Sequence, residues 1–217
     1  MKPGNKPDPF TAKAHKEGFA ARSVYKLEEI DRRIRLTRPG LRVLDLGAAP
    51  GSWTQYLANK VGGKGLVVAL DLNPLRVVTP KHVRAAEVDI LASPLADIAA
   101  FGPFDAVVSD MAPHTSGVRD ADVARSVELV ERAIVIADAS LKKGGTFLAK
   151  IFQGDGFEAV RALLRERYET VRVLKPEASR KESIEIYLAG LVHKRDPVVP
   201  DAPSTPAPPT TPAAESP

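Results

Sequence analysis

The sequence predicts an α/β domain whose sheet is mostly parallel and closes with an antiparallel strand. Three observations carry that expectation. Short, nearly continuous apolar runs alternate with segments of helical period, the pattern of a parallel sheet covered on both faces. Glycine and proline punctuate many of the junctions, as loops between such elements require. The last two strand-like runs are separated by only a short polar segment, too short for a crossover, so they predict a terminal hairpin.

Taken in order, residues 1–21 are basic, contain Pro and Gly, and predict a flexible arm. From Arg22 to Leu36, the apolar residues Val24, Leu27, Ile30 and Ile34 recur at steps of three and four, which predicts an amphipathic helix. Pro39-Gly40 ends it. The runs LRVLDL, GLVVALDL, VRAAEVDI, FDAVVSDM and GGTFLAKIF then read as buried strands. SWTQYLANKV, PLADIAAF, DADVARSVELVERAIVIADASL and GFEAVRALLRERY read as the helices between them. YETVRVLKP and SIEIYLAGLVHK form the expected hairpin. The globular domain therefore spans 22–195, and the Pro-rich stretch 196–217 lacks the apolar residues to build a core, so it reads as a disordered tail.

Composition narrows the function classes. A chain with no cysteine holds no disulfide framework, zinc–thiolate site or cysteine nucleophile. No apolar run approaches the roughly 20 residues that span a bilayer, and the N-terminus lacks the apolar core of a secretory signal. These features predict a soluble, cytoplasmic protein with no membrane partner. The formal charge is +4, and residues 1–40 hold ten Lys/Arg against five acids, interleaved with Phe10, Phe19 and Tyr25. Such a segment is either a solvated charged face or a surface that tracks phosphates.

The segment LDLGAAPGSW resembles a nucleotide-binding turn whose spacing does not fit. A dinucleotide fingerprint needs G-x-G-x-x-G and a phosphate loop needs G-x-x-x-x-G-K-[ST], whereas here Gly47 and Gly51 are followed by no lysine. In a doubly wound sheet, ligands sit beyond the carboxyl ends of the strands. Asp45-Leu46-Gly47, Asp71, Asp89, Asp110 and Lys150 all fall at such ends. Any one aspartate alone reads as a helix cap, and a lone lysine as a side chain snorkelling to water; five in register predict a site. Asp71 suits ribose hydroxyls and Asp89 the amino group of adenine. Small residues at the elbow let backbone approach a ligand closely. With no pyrophosphate holder, the elbow suits an adenosyl ligand carrying an amino-acid moiety, S-adenosylmethionine. Lys26 and Glu185 fall in segments able to converge on Lys150.

Five ordered segments, ARSVYKLEEI, DLGAAPGSW, SDMAPHTSG, AKIFQGDGF and SRKESIEIY, together resemble the RrmJ/FtsJ family of RNA 2′-O-methyltransferases over about residues 12–194. The resemblance implies the class I S-adenosylmethionine-dependent methyltransferase fold, Rossmann-like, with a seven-stranded sheet and an antiparallel last strand. It implies a catalytic set of Lys26, Asp110, Lys150 and Glu185, and cofactor contacts at Gly51, Trp53, Asp71, Asp89 and Asp110, with no metal. It further implies a monomer acting on a uridine of 23S ribosomal RNA in the large subunit. Ser52 stands where glycine is common in the family, and His114 where asparagine is usual; neither removes a catalytic group. Three alternatives are a transfer-RNA methyltransferase, a non-catalytic RNA-binding factor of ribosome assembly, and a dinucleotide-dependent dehydrogenase. The elbow spacing disfavours the dehydrogenase, and the complete catalytic set disfavours the assembly factor.

Overall fold

The computed structural model describes residues 9–179 and 182–198. Residues 1–8 of the arm, Arg180 and Lys181 in the last motif, and the Pro-rich stretch from 199 onward lie outside the described residues. Two helices open the chain, α1 (Pro9–Lys16) and α2 (Val24–Ile34). There follow β1 (Arg42–Leu46), α3 (Ser52–Val61), β2 (Leu66–Asp71), β3 (Val83–Glu87), α4 (Leu95–Ala99), β4 (Phe104–Ser109) and α5 (Arg119–Ser140). The chain continues through β5 (Leu141–Phe152), α6 (Phe157–Arg167), β6 (Tyr168–Leu174) and β7 (Glu185–His193).

The seven strands form one sheet in the order β3-β2-β1-β4-β5-β7-β6. β1 to β5 pair in parallel, and β7 inserts antiparallel between β5 and β6. This is the seven-stranded Rossmann-like architecture with its terminal hairpin. Alternation along the strands divides the core in two. Val43, Val67, Ala106, Leu148, Tyr187 and Ala189 point to the face covered by α1, α2 and α3. Leu44, Val68, Val107, Phe147, Ala149 and Leu188 point to the face covered by α4, α5 and α6. Period-2 exposure of successive side chains to opposite faces produces this division.

Four expectations need correction. β3 is not a buried strand: it forms the sheet edge, and Arg84, Ala85 and Glu87 face solvent. β5 begins at Leu141 rather than Gly144, with a register shift against β4 between Phe104 and Ala106. Asp45 and Lys150 lie inside their strands rather than at the ends. The arm expected as flexible contains α1, which buries Ala14 and sets Phe10 against Tyr25 with ring centroids 5.8 Å apart; apolar contact with α2 folds what composition alone reads as a tail.

Candidate active site

The elbow after β1 shapes the floor of a cleft of about 280 Å³ at the carboxyl ends of β1, β2 and β4. Gly47 and Ala49 form one wall, Asp71, Asp89 and Asp110 supply charge, and His114 stands on the loop beyond β4. Gly47 has φ 74°, and a Cβ there would come within 2.7 Å of Met111 Cγ. Gly51 has φ 118°, and its Cβ would meet Val77 Cγ2 at 2.5 Å. The glycines are thus required by a neighbouring chain segment as well as by their backbone conformation. Gly51 caps α3 instead of lining the cleft.

The two carboxylates expected at the cofactor are held by backbone. Asp71 accepts hydrogen bonds from the amides of Ala49, at 3.0 Å, and Asn73, at 2.8 Å. Asp89 Oδ1 accepts from the amides of Leu91 and Ala92, each at 3.0 Å. Each therefore closes a turn and also presents its remaining acceptor capacity to the cleft. Trp53 departs from expectation. Its indole is buried, donates to the Ser23 carbonyl at 3.0 Å, and packs against the Tyr187 ring at 5.9 Å between centroids. An apolar ring in the first turn of α3 turns inward to bury its surface, and the Trp53 side chain does not line the cleft. The first amides of a helix have no intrahelical acceptor and favour an anionic group, so this turn suits the carboxylate of an amino-acid moiety. The cleft and its carboxylates fit S-adenosylmethionine.

Asp45 sits fully buried beneath the elbow. Its Oδ2 accepts from the Thr54 hydroxyl at 2.7 Å, while Oδ1 has no hydrogen-bond partner among the described residues. Burial raises its pKa to about 7; the Thr54 hydrogen bond opposes that shift, and the charges of Asp110 and Asp71 reinforce it.

Beside the cleft the four expected catalytic residues meet. The antiparallel register sets Lys150 opposite Tyr187 and Phe152 opposite Glu185, so Lys150, Tyr187 and Glu185 project from one face of the sheet. That is the face on which α2 packs and from which it delivers Lys26. Lys150 Nζ donates to Asp110 twice, to the main-chain oxygen at 2.6 Å and to Oδ1 at 3.0 Å. Lys26 Nζ donates to Glu185 Oε1 at 2.5 Å across 159 residues of sequence. Both pairs are largely shielded from solvent.

Tyr187, which sequence reasoning missed, joins the pairs. Its hydroxyl lies 3.0 Å from Asp110 Oδ1 and 3.4 Å from Glu185 Oε1. Burial, then the negative charges of Asp110 and Glu185, hold its pKa well above the ordinary value of 10, so the phenol keeps its proton and serves as a donor. With one proton for two acceptors it favours the nearer, Asp110. The only signal in the sequence is its place two residues after Glu185 on an alternating strand.

Comparison with known proteins agrees with this architecture. A family profile described as FtsJ-like methyltransferase matches residues 19–193. The Ribosomal RNA large subunit methyltransferase E of Sorangium cellulosum is 49% identical over 192 residues, covering 88% of this chain and 91% of that one. Its counterpart in Syntrophobacter fumaroxidans is 48% identical over 186 residues, covering 85% and 94%. Among solved structures, a ribosomal RNA methyltransferase of Plasmodium falciparum superposes with a TM-score of 0.69 at 23% identity, covering 81% of this chain and 98% of that one. Fibrillarin of Aeropyrum pernix, solved with S-adenosyl-L-methionine, gives 0.55 at 14% identity, covering 78% and 76%. The last two likenesses bear on the fold.

Proposed function

Because this chain belongs to the FtsJ-like methyltransferase family, we propose that it methylates a ribose 2′-hydroxyl of large-subunit ribosomal RNA. The methyl donor is S-adenosylmethionine, and the target is a uridine of the 23S molecule. The observation that carries the reading is the pair of lysine–carboxylate contacts joined by Tyr187 beside the cleft. All four catalytic side chains come from a single chain, which suits action as a monomer.

The cofactor supplies a methyl group on a sulfonium, already a good leaving group. The chain's own residues must therefore align two reactants and handle one proton. Alignment alone is worth several kcal/mol. Asp71 holds the ribose hydroxyls of the cofactor and Asp89 its adenine amino group. Lys150 takes the proton from the substrate oxygen as that oxygen gains the methyl group, leaving a methylated ribose, S-adenosylhomocysteine and a protonated lysine. In the resting site Lys150 directs two of its donors at Asp110. Loss of the third proton leaves a lone pair aimed outward at the substrate. Asp110 and Tyr187 fix the position of that amine, and Glu185 fixes Lys26, whose positive charge faces the oxygen on which negative charge develops.

The test is to map 2′-O-methyl groups in large-subunit and transfer RNAs from cells with and without the gene. Loss of one uridine mark from 23S RNA is the expected result. Loss confined to transfer RNA would overturn the substrate, and an unchanged map would overturn the activity.

A further inference from the structure

The amino-terminal ends of the parallel strands, opposite the catalytic cleft, carry charge that the reaction does not use. A groove of about 410 Å³ between the end of α2 and the end of α3 is lined by Arg32, Arg35, Arg38 and Lys60. Along the same edge, Lys64 occupies the turn before β2 and Lys81 precedes β3. Lys143 projects from the irregular start of β5. All seven side chains are exposed. Among the described residues no carboxylate pairs with Arg35, Arg38, Lys60, Lys64, Lys81 or Lys143.

The acids of this end are largely spent elsewhere. Asp105 pairs with Lys142 at 2.7 Å and accepts from the Arg42 amide. Asp138 pairs with Arg167 at 2.7 Å. Asp31, at the base of the groove, is filled by the Thr37 amide and hydroxyl and by Tyr56. Glu28 at the rim, Glu169 at the start of β6 and Asp196 beyond β7 offset part of the charge. Complementing a helix dipole accounts for Lys60 in the last turn of α3. It does not account for Arg38, Lys64, Lys81 and Lys143, which lie outside the helices.

Strand spacing of about 4.8 Å places the β3 and β5 ends about 19 Å apart. Seven residues of β5 separate Lys143 from Lys150, roughly 23 Å at an extended rise. Lys143 therefore cannot touch the nucleotide that enters the cleft, and Arg35 stands nine residues beyond Lys26, roughly 14 Å along α2. We propose that this edge is a second RNA-binding surface, on which Arg35, Arg38, Lys60, Lys64, Lys81 and Lys143 hold the phosphates of an RNA segment other than the one carrying the target ribose. The proposal rests on the RNA substrate inferred above and extends it from one nucleotide to a folded RNA spanning both ends of the domain.

The test combines Arg38→Glu, Lys64→Glu, Lys81→Glu and Lys143→Glu in the whole protein. Binding to deproteinised large-subunit ribosomal RNA is measured by fluorescence anisotropy across a salt series, without cofactor. Affinity is expected to fall at least tenfold. The dependence of log affinity on log salt should become shallower by about 3, since each neutralised phosphate contributes roughly 0.7–0.9. In methyl transfer the variant should raise KM for the RNA and leave kcat and S-adenosylmethionine affinity unchanged. The matching glutamine variant should show a smaller loss in the same direction. Unchanged affinity and salt slope would overturn the proposal. So would a loss of binding to anionic phospholipid vesicles with RNA binding intact, which would assign the surface to a membrane. If the wild-type protein binds this RNA but methylates none, the proposed activity fails while the binding comparison still decides this surface.

Discussion

At the carboxyl ends of the strands, Lys26 and Lys150 each lie against a carboxylate, at 2.5 and 3.0 Å, with Tyr187 between the two pairs. At the amino ends, Arg38, Lys64, Lys81 and Lys143 extend into solvent without an acidic partner among the described residues. One sheet thus serves two uses of positive charge. Buried, paired charges are fixed in position and suit chemistry, because geometry set in advance costs nothing at the moment of reaction. Exposed, unpaired charges are mobile and individually weak, and suit a polyanion whose phosphates they meet in number. The difference teaches how each end should respond to substitution: steeply and singly at one, gradually and in sum at the other.

The largest effect expected is at Lys150. Replacing it with alanine removes the proposed proton acceptor, and turnover should fall by more than about a thousandfold, the upper range for a positioned base. S-adenosylmethionine affinity by calorimetry should stay near wild type. Asp71→Ala should do the reverse, weakening cofactor affinity, because it removes a cleft carboxylate and frees the amides of Ala49 and Asn73. Wild-type turnover by Lys150→Ala would erase the contrast between the ends, since the paired lysine would then matter no more than an unpaired one.

Asp45 sharpens the comparison through stability. A carboxylate with a folded-state pKa near 7 binds its proton more tightly than in the unfolded chain, where the value is 3.8. Its stabilising contribution is complete below the unfolded value and is lost as pH rises through about 7. The loss is on the order of 4 kcal/mol. Asp45→Asn cannot titrate, so its melting temperature relative to wild type should rise between pH 5 and pH 8. Parallel profiles for the two proteins would show that Asp45 is charged at little cost.

Much of the candidate site was legible in sequence because its residues fall in local motifs, several of them at predictable places on parallel strands. SWTQYLANKV coincides with α3, and Asp71, Asp89 and Asp110 all reach one cleft. What stayed hidden depends on register and packing. Tyr187 matters through its position opposite Lys150, which no local pattern reveals. The inward turn of Trp53 follows from its contacts with Ser23 and Tyr187, and the exposure of β3 from its place at the sheet edge. The sequence drew attention to charge in residues 1–40, yet the cations of the opposite end run from Arg35 to Lys143 and are gathered only by the sheet.

The smallest of these effects falls on Tyr187. Tyr187→Phe keeps the ring that packs on Trp53 and deletes one hydroxyl facing two carboxylates. A hydrogen bond to a charged group is worth about 1.5–3 kcal/mol, so a tenfold loss, equivalent to about 1.4 kcal/mol, is the expected lower bound. Because the hydroxyl positions Asp110, and through it the Lys150 amine, the loss should appear in kcat, with KM for RNA and cofactor affinity unchanged. A lower melting temperature with wild-type kcat would make Tyr187 a packing residue. A change confined to KM would place its hydroxyl on the RNA instead. A kcat loss larger than that from any one substitution at Arg38, Lys64, Lys81 or Lys143 is what distinguishes a charge network held by single bonds from one that acts by its sum.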